Sequence, residues 1–406
     1  MTEVTERLKQ AAADRVDALR DTICDLNQQL YDNPEIAFQE TRAAAWLTDL
    51  LDRDGFTVER KVADLDTAFR ATFRDSSREG ATVAFLAEYD ALPKLGHACC
   101  HNMIGMGSVG AAMALRPLMK ELDGTVQVLG TPAEEGGGGK VIMAEAGLFD
   151  QADVAMMVHP WNVTASGANS LARIRFDVEF KGKPAHSFMH QEEGSNALAA
   201  TIQTFNGINA LREHLRPHNS MVHGIITHGG EFAITVPDYS AASIFIMTPE
   251  IGYAREVYEK MKKCAEGAAI MTGTEVSFHS YQELKHLIPN LKLAEAFDLN
   301  LERLGFEIEN RGFYGGVLCA TDVGDVSHII PTIQPYLRLD KRYTWHTPEV
   351  ARASVSEKGE ALLLNMAKVL AMTAVDILTS PDLFKAVQEE FRSTIGQRER
   401  PEIWVA

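Results

Sequence analysis

Cysteine is scarce in this chain. Its five cysteines, at positions 24, 99, 100, 264 and 319, form an odd set that provides no disulfide framework and fits a reducing compartment. Positive charge is short too: 39 Lys and Arg stand against 56 Asp and Glu, a formal net charge of −17. Nucleic acid needs a basic surface to meet its phosphates, so it is excluded as a partner. No stretch approaches the roughly 20 apolar residues of a membrane span. The acidic start, Met1-Thr2-Glu3-Val4-Thr5-Glu6, lacks the basic and apolar regions of a signal peptide. Internal repeats and low-complexity linkers are absent. These absences leave a cytoplasmic protein with no membrane or nucleic-acid partner.

What is present describes a globular protein, 46% hydrophobic and 23% charged, and 406 residues are too many for one ordinary core. Apolar residues at 3- and 4-residue steps predict a long helix over 3–32, stopped by Asn33-Pro34, and a second over 41–51. Apolar segments then alternate with helical ones: 81–87, a helix near 103–118, 125–130, a helix near 140–146, and 154–158. Such alternation predicts an α/β domain with a mostly parallel sheet flanked by helices. From about 170 the pattern changes to strand, helix, strand, strand, helix, strand. That order is the β-α-β-β-α-β of a ferredoxin-like α+β domain. Helix–strand alternation resumes after about 285, and a long helix over 355–378 closes the larger domain. The expected domains are therefore 1–170 with 286–406, and an inserted 171–285.

The chemistry concentrates in Gly96-His97-Ala98-Cys99-Cys100-His101-Asn102, which places thiols and imidazoles just after an apolar run ending at Glu88-Tyr89-Asp90. Thiolate and neutral imidazole are preferred donors for a Lewis-acidic divalent metal. Glu134-Glu135 before a four-glycine turn, His159 after an apolar run, and His346 in Trp-His-Thr-Pro-Glu are further pieces of such a site. Each alone has a plainer reading: a buried thiol, a solvated acidic loop, a hydrogen-bonded core histidine. Three of them follow the carboxyl ends of predicted strands, where open α/β sheets carry their sites.

With these motifs placed, the chain resembles the metal-dependent aminoacylase and carboxypeptidase superfamily. It is most similar to the amidohydrolase branch, which includes indole-acetyl-amino-acid hydrolases and p-aminobenzoyl-glutamate hydrolases. The resemblance runs through Asn33-Pro34-Glu35, Glu88-Tyr89-Asp90-Ala91-Leu92-Pro93, His97 to Asn102 and Pro132-Ala133-Glu134-Glu135-Gly136. It continues in Gly182-Lys183-Pro184-Ala185-His186, Gly194 to Leu198, Thr321 to Ser327 and His346-Thr347-Pro348-Glu349. It implies a catalytic domain with an inserted dimerisation or lid domain, hence a homodimer acting on a small molecule. It further implies Cys99, His101, Glu135, His159 and His346 as ligands of two divalent metal ions, with Glu134 as general base. His186 is implied to stabilise the oxyanion, and Asp90 to orient a metal-binding imidazole. The thiolate favours zinc, and the remaining donors also suit manganese.

The chain departs from that pattern at Cys100, where relatives usually have glycine. It departs again at Ile234 and Met247, where relatives commonly have the Asn and Arg that hold a substrate carboxylate; an apolar pair cannot form such charge-assisted bonds. The leading expectation is a metal-dependent hydrolase cleaving an amide C–N bond. A hydrolytic deaminase of an aromatic amine using the same metals is a second reading, and a non-catalytic binding protein a third.

Overall fold

A computed structural model describes residues 2–75, 79–215, 220–310 and 319–398. The stretch predicted as one helix over 3–32 forms two. Helix α1 (Glu3–Ala18) starts at Thr2, whose hydroxyl accepts the Thr5 amide. It ends at Leu19, where ψ is 4° and the amide bonds back to the Arg15 and Val16 carbonyls. Helix α2 (Arg20–Asp32) restarts at once and buries Ile23 and Leu30. The Asn33-Pro34-Glu35 motif then caps: the Glu35 carboxylate accepts the amides of Arg42 and Ala43 at the start of α3 (Thr41–Arg53). Strands β1 (Thr57–Arg60) and β2 (Phe69–Phe73) are an antiparallel pair that periodicity does not announce, because β1 buries neither face. There follow β3 (Thr82–Ala87), α4 (His101–Leu115), β4 (Thr125–Gly130), α5 (Gly139–Glu145), β5 (Val154–Met156) and β6 (His159–Trp161).

The next elements are β7 (Ala172–Lys181), α6 (Ala197–Leu211), β8 (Met221–His228), β9 (Tyr239–Thr248), α7 (Ile251–Thr272) and β10 (Glu275–Ser280). They form a compact unit of residues 170–286 with 319–321. Its antiparallel sheet runs β10-β7-β9-β8, the ferredoxin-like arrangement, with the first strand inside and the second at the edge. Alternation on β7 buries Ile174, Phe176, Val178 and Phe180 among Val257, Met261 and Ala265 of α7.

The other unit takes the rest of the chain. It is completed by α8 (Leu291–Arg303), α9 (Val323–Ser327), β11 (Thr332–Ile333), β12 (Tyr336–Arg338), α10 (Pro348–Ala353), α11 (Glu357–Thr379) and α12 (Pro381–Arg398). The predicted closing helix is α11, and it does not close the unit: Ser380-Pro381 starts α12. The main sheet runs β1-β2-β4-β3-β5-β11, parallel from β4 through β11 and antiparallel at the β1–β2 edge. Two strands stand apart from it, β6 beside β12 in parallel. Strand β3 is central and almost wholly buried, so it reads as a continuous apolar run. All fifteen residues of α4 are buried. Its Gly105 lets it press on the end of β3, since a Cβ there would stand 2.7 Å from the Glu88 carbonyl oxygen. Contrary to the sequence expectation, α11 is long and apolar enough to span a bilayer by composition; most of it is buried in this unit's core.

Helix α1 is pinned to α11 by one buried ion pair. Lys9 Nζ lies 2.6 Å from Asp376 Oδ1, and Asn300 of α8 donates to the other oxygen at 2.8 Å. Removing one partner strands a buried charge, whereas removing both does not. Lys9→Met is expected to cost about 3–5 kcal/mol in urea unfolding, and Lys9→Met with Asp376→Leu to recover most of it. A double variant no more stable than the single one would refute this account.

Candidate metal centre

Four loops converge at the carboxyl ends of β3 and β4. Strand β3 delivers Glu88, Tyr89 and Asp90; Cys99, Cys100 and His101 lead into α4; Glu134 and Glu135 follow β4; His159 opens β6 and His346 precedes α10. The donor atoms of Cys99, His101 and His159 lie within 4.8 Å of one another, as do those of Cys99, Glu135 and His346, and those of His101, Glu134 and Glu135. Cys99 Sγ is 3.6 Å from His159 Nε2, and Glu135 Oε1 is 3.5 Å from His346 Nε2. Ligands bound at 2.0–2.3 Å around one tetrahedral ion stand about 3.3–3.8 Å apart. Cys99 belongs to two of the three groups.

Hydrogen bonds fix which ring nitrogen faces the centre. His101 Nδ1 is 2.8 Å from Asp90 Oδ1, and His159 Nδ1 is 2.6 Å from the Pro160 carbonyl oxygen. Both partners only accept, so each Nδ1 carries a proton; the Nε2 lone pair then faces the centre in neutral His159, and in His101 once a cation displaces its second proton. Burial and the neighbouring His101 push His159 down to about 3, keeping it neutral. Burial works against a charged His101, but Asp90 and Cys99 outweigh it and hold its pKa well above the ordinary value. The same His101 overcomes burial at Asp90, whose pKa falls. Burial and then Glu135 push the Cys99 thiol far up. Glu135 Oε1 is buried with no hydrogen-bond partner, aimed at a sulfur and an imidazole nitrogen. A polar atom left so costs stability unless something cationic meets it. Thiolate, imidazoles and carboxylate at this spacing fit divalent metal.

Two features escaped the sequence reading. Lys140, fully buried at the start of α5, donates to Glu88 Oε1 at 2.5 Å and Asp322 Oδ1 at 2.7 Å, while its amide donates to Asp322 Oδ2 at 3.0 Å. The only signal was a lysine in an otherwise apolar helix start. Glu40, fully buried, accepts the Ala133 amide just before Glu134. Glu134 Oε2 stands 3.9 Å from His101 Nε2. Burial first, then Glu88 and Glu135, raise its carboxyl well above the usual range. Cys100 belongs to none of the donor groups: its thiol is buried near the Val350 carbonyl, and burial pushes it to about 12. Its φ of 63° is the left-handed conformation that glycine adopts freely.

The remaining candidates lie in the smaller unit. His186 Nδ1 accepts the amides of Phe188 and Met189 at 3.3 Å, which leaves Nε2 as the N–H donor. Ile234 is exposed, and its carbonyl accepts the Ser187 amide. Met247 sits toward the far end of β9, eight residues or roughly 26 Å of strand from Tyr239. The two apolar positions are therefore not brought together within the chain. Arg173 lies directly across the ladder from Met247, so a cation is present beside that position.

Cys99→Ala is expected to lose bound metal. Cys100→Gly, which relieves a strained φ, should keep metal and activity near wild type. Metal analysis of the two purified variants checks this, and loss of metal from Cys100→Gly alone would move the donor by one residue.

Comparison with known proteins identifies the family. A model of Peptidase family M20/M25/M40 matches residues 84–399. Xaa-Arg dipeptidase of Mus musculus is 34% identical over 97% of this chain and 94% of its own length. A p-aminobenzoyl-glutamate hydrolase polypeptide of Escherichia coli (strain K12) is 30% identical over 93% of this chain and 93% of its own length. Among solved structures, a dinuclear metal-binding peptidase of the M20 family from Bacillus subtilis superposes with a TM-score of 0.68 at 22% identity, over 89% of this chain and 99% of its own. The aminobenzoyl-glutamate utilization protein of Klebsiella pneumoniae gives 0.71 at 19% identity, over 89% and 97%. The chain belongs to peptidase family M20/M25/M40 and is a metal-dependent hydrolase of carbon–nitrogen bonds.

Proposed function

We propose that this enzyme hydrolyses the amide bond of a small dipeptide-like substrate, with Cys99, His101, Glu135, His159 and His346 holding two divalent cations and Glu134 as general base. The observation that carries the reading is the convergence of two donor groups through Cys99, with a separate carboxylate, Glu134, beside them. When bound, the cations supply Lewis acidity, which acidifies water and polarises an amide carbonyl. Glu134 takes the water's proton and passes it to the leaving nitrogen. Asp90 keeps the His101 ring in place while this happens. His186 offers its Nε2 proton to the oxyanion, because its Nδ1 is committed to two backbone amides.

A thiolate among the donors favours zinc over manganese. That thiol must stay reduced to act, which suits the cytoplasm. The mouse relative's name indicates dipeptides ending in arginine, and a net charge of −17 would draw such cationic substrates rather than anionic ones. With Ile234 and Met247 apolar, the carboxylate of such a dipeptide falls to another cation, and Arg173, across the ladder from Met247, is the candidate. A homodimer is supported by the edge strand β8, which exposes Met221, Ile225 and Ile226. An open apolar edge of this kind pairs readily with a second copy.

Glu134→Gln is expected to keep its metal and fold while kcat on the dipeptide Ala-Arg falls by about 10²–10⁴-fold. Parallel loss of metal would show that base and ligand are exchanged. Release of ammonia alone from an arylamine, with no dipeptide cleaved, would favour deamination instead. Sedimentation at micromolar concentration should show a dimer; a lone 44.7 kDa species would exclude pairing through β8.

A further inference from the structure

Glu134 and Glu135 are consecutive, yet their carboxylates converge on the same imidazole. In an extended chain, successive side chains point to opposite faces. Here the preceding residue, Ala133, adopts a left-handed φ of 62°, which turns the chain so that both carboxylates come to one side. A non-glycine residue holds that conformation only where its surroundings impose it. The imposing group is Glu40. Its Oε1 accepts the Ala133 amide at 2.9 Å and the Phe38 amide at 3.0 Å, and its Oε2 accepts the Thr67 hydroxyl at 3.0 Å. Phe38 is itself left-handed, with φ 61°. One carboxylate oxygen thus binds the amides of two strained residues from loops about a hundred positions apart. The Ala133 carbonyl in turn accepts the Gly137 and Gly138 amides at 2.9 and 2.8 Å, closing the turn around both glutamates. The Phe38 ring lies over that turn, so closely that a Cβ on Gly137 would stand 2.2 Å from it.

We propose that Glu40 is a positioning residue for the reaction: its carboxylate latches the 36–40 loop onto Ala133 and so holds Glu134 and Glu135 in their shared orientation. This rests on the reading of Glu134 as general base. Burial and Asp90 raise the Glu40 carboxyl to about 7, with the Thr67 hydroxyl and the Phe38 amide pulling it back. The fold keeps a carboxylate there against its own solvation preference, as expected of a group retained for geometry. Neither Phe38, Ala133 nor Thr67 belongs to a donor group, so the latch acts on the centre only through the backbone of the turn.

The test compares Glu40→Asp, Glu40→Gln and Glu40→Ala in the full-length, zinc-loaded enzyme, reading kcat and KM on Ala-Arg and hydrogen exchange of residues 131–138. Aspartate keeps the charge but is too short to reach both amides; glutamine keeps an oxygen at the same reach and loses the charge. Glu40→Asp and Glu40→Ala should lower kcat by about 10- to 100-fold, the usual scale for a slightly misplaced group, with KM within about threefold. Exchange in 131–138 should speed up while α4 and α11 keep their protection. Glu40→Gln should stay within about threefold of wild type by both readouts. If Glu40→Ala does not fold, the Asp and Gln variants decide between them. Wild-type kcat and exchange in Glu40→Asp would overturn the proposal, as would equal impairment of Glu40→Asp and Glu40→Gln. Full activity of Glu134→Gln would sink the general-base reading instead and leave the exchange result standing.

Discussion

Asp90 sits at the carboxyl end of β3 with one oxygen on the His101 imidazole and the other on the Glu135 amide, and this bridge ties two loops to the centre of the sheet. Neither contact exists without the other elements in place. Strand β3 is buried between β4 and β5, so its end is held from both sides. Helix α4 reaches that end because Gly105 admits the Glu88 carbonyl, which brings His101 within reach of Asp90. The imidazole proton is thereby committed to Nδ1, and the lone pair on Nε2 is left for the centre. Orientation and protonation state follow from a single buried carboxylate.

Around it the fold gathers more negative charge than a core tolerates on its own. Glu88, Asp90 and Asp322 are buried almost completely, and Glu134 and Glu135 adjoin them. Lys140, bridging Glu88 and Asp322, meets part of this, and His101 donates its Nδ1 proton to Asp90. Stranded buried charge costs several kcal/mol, so a protein that keeps such a cluster needs a compensating cation. The surrounding core, built from β3, α4 and α11, carries the stability that the centre does not contribute. An apolar framework holding a charged, internally strained site is the usual division between fold and function.

The residues that can donate to metal were legible because donor chemistry is local in sequence. Cys99 and His101 are two apart, Glu134 and Glu135 adjacent, and each stands at the end of an apolar run that already reads as a strand. The β-α-β-β-α-β order was legible for a similar reason, since β7 and β9 alternate and α6 and α7 carry apolar faces. The groups that hold the site together were not. Lys140 meets Asp322 across 182 positions, and Glu40 meets Ala133 across 93. No local pattern marks either pair. The break at Leu19 was hidden because the apolar period continues through it, and β1 because it buries nothing. Ile234 and Met247, which reasoning by resemblance joined, are separated by the length of β9.

By itself, then, the sequence determined the class of the fold, the kind of chemistry and the donor residue types, all of which depend on spacing within a few residues. Tertiary structure alone decided which ring nitrogens face inward, which carboxylates converge and which lysine neutralises them. Those depend on the packing of distant loops against one strand end, where contact is set by topology and not by proximity along the chain. The left-handed turn at Ala133 belongs to the second kind: alanine has no preference for it, and it exists only where Glu40 is brought alongside.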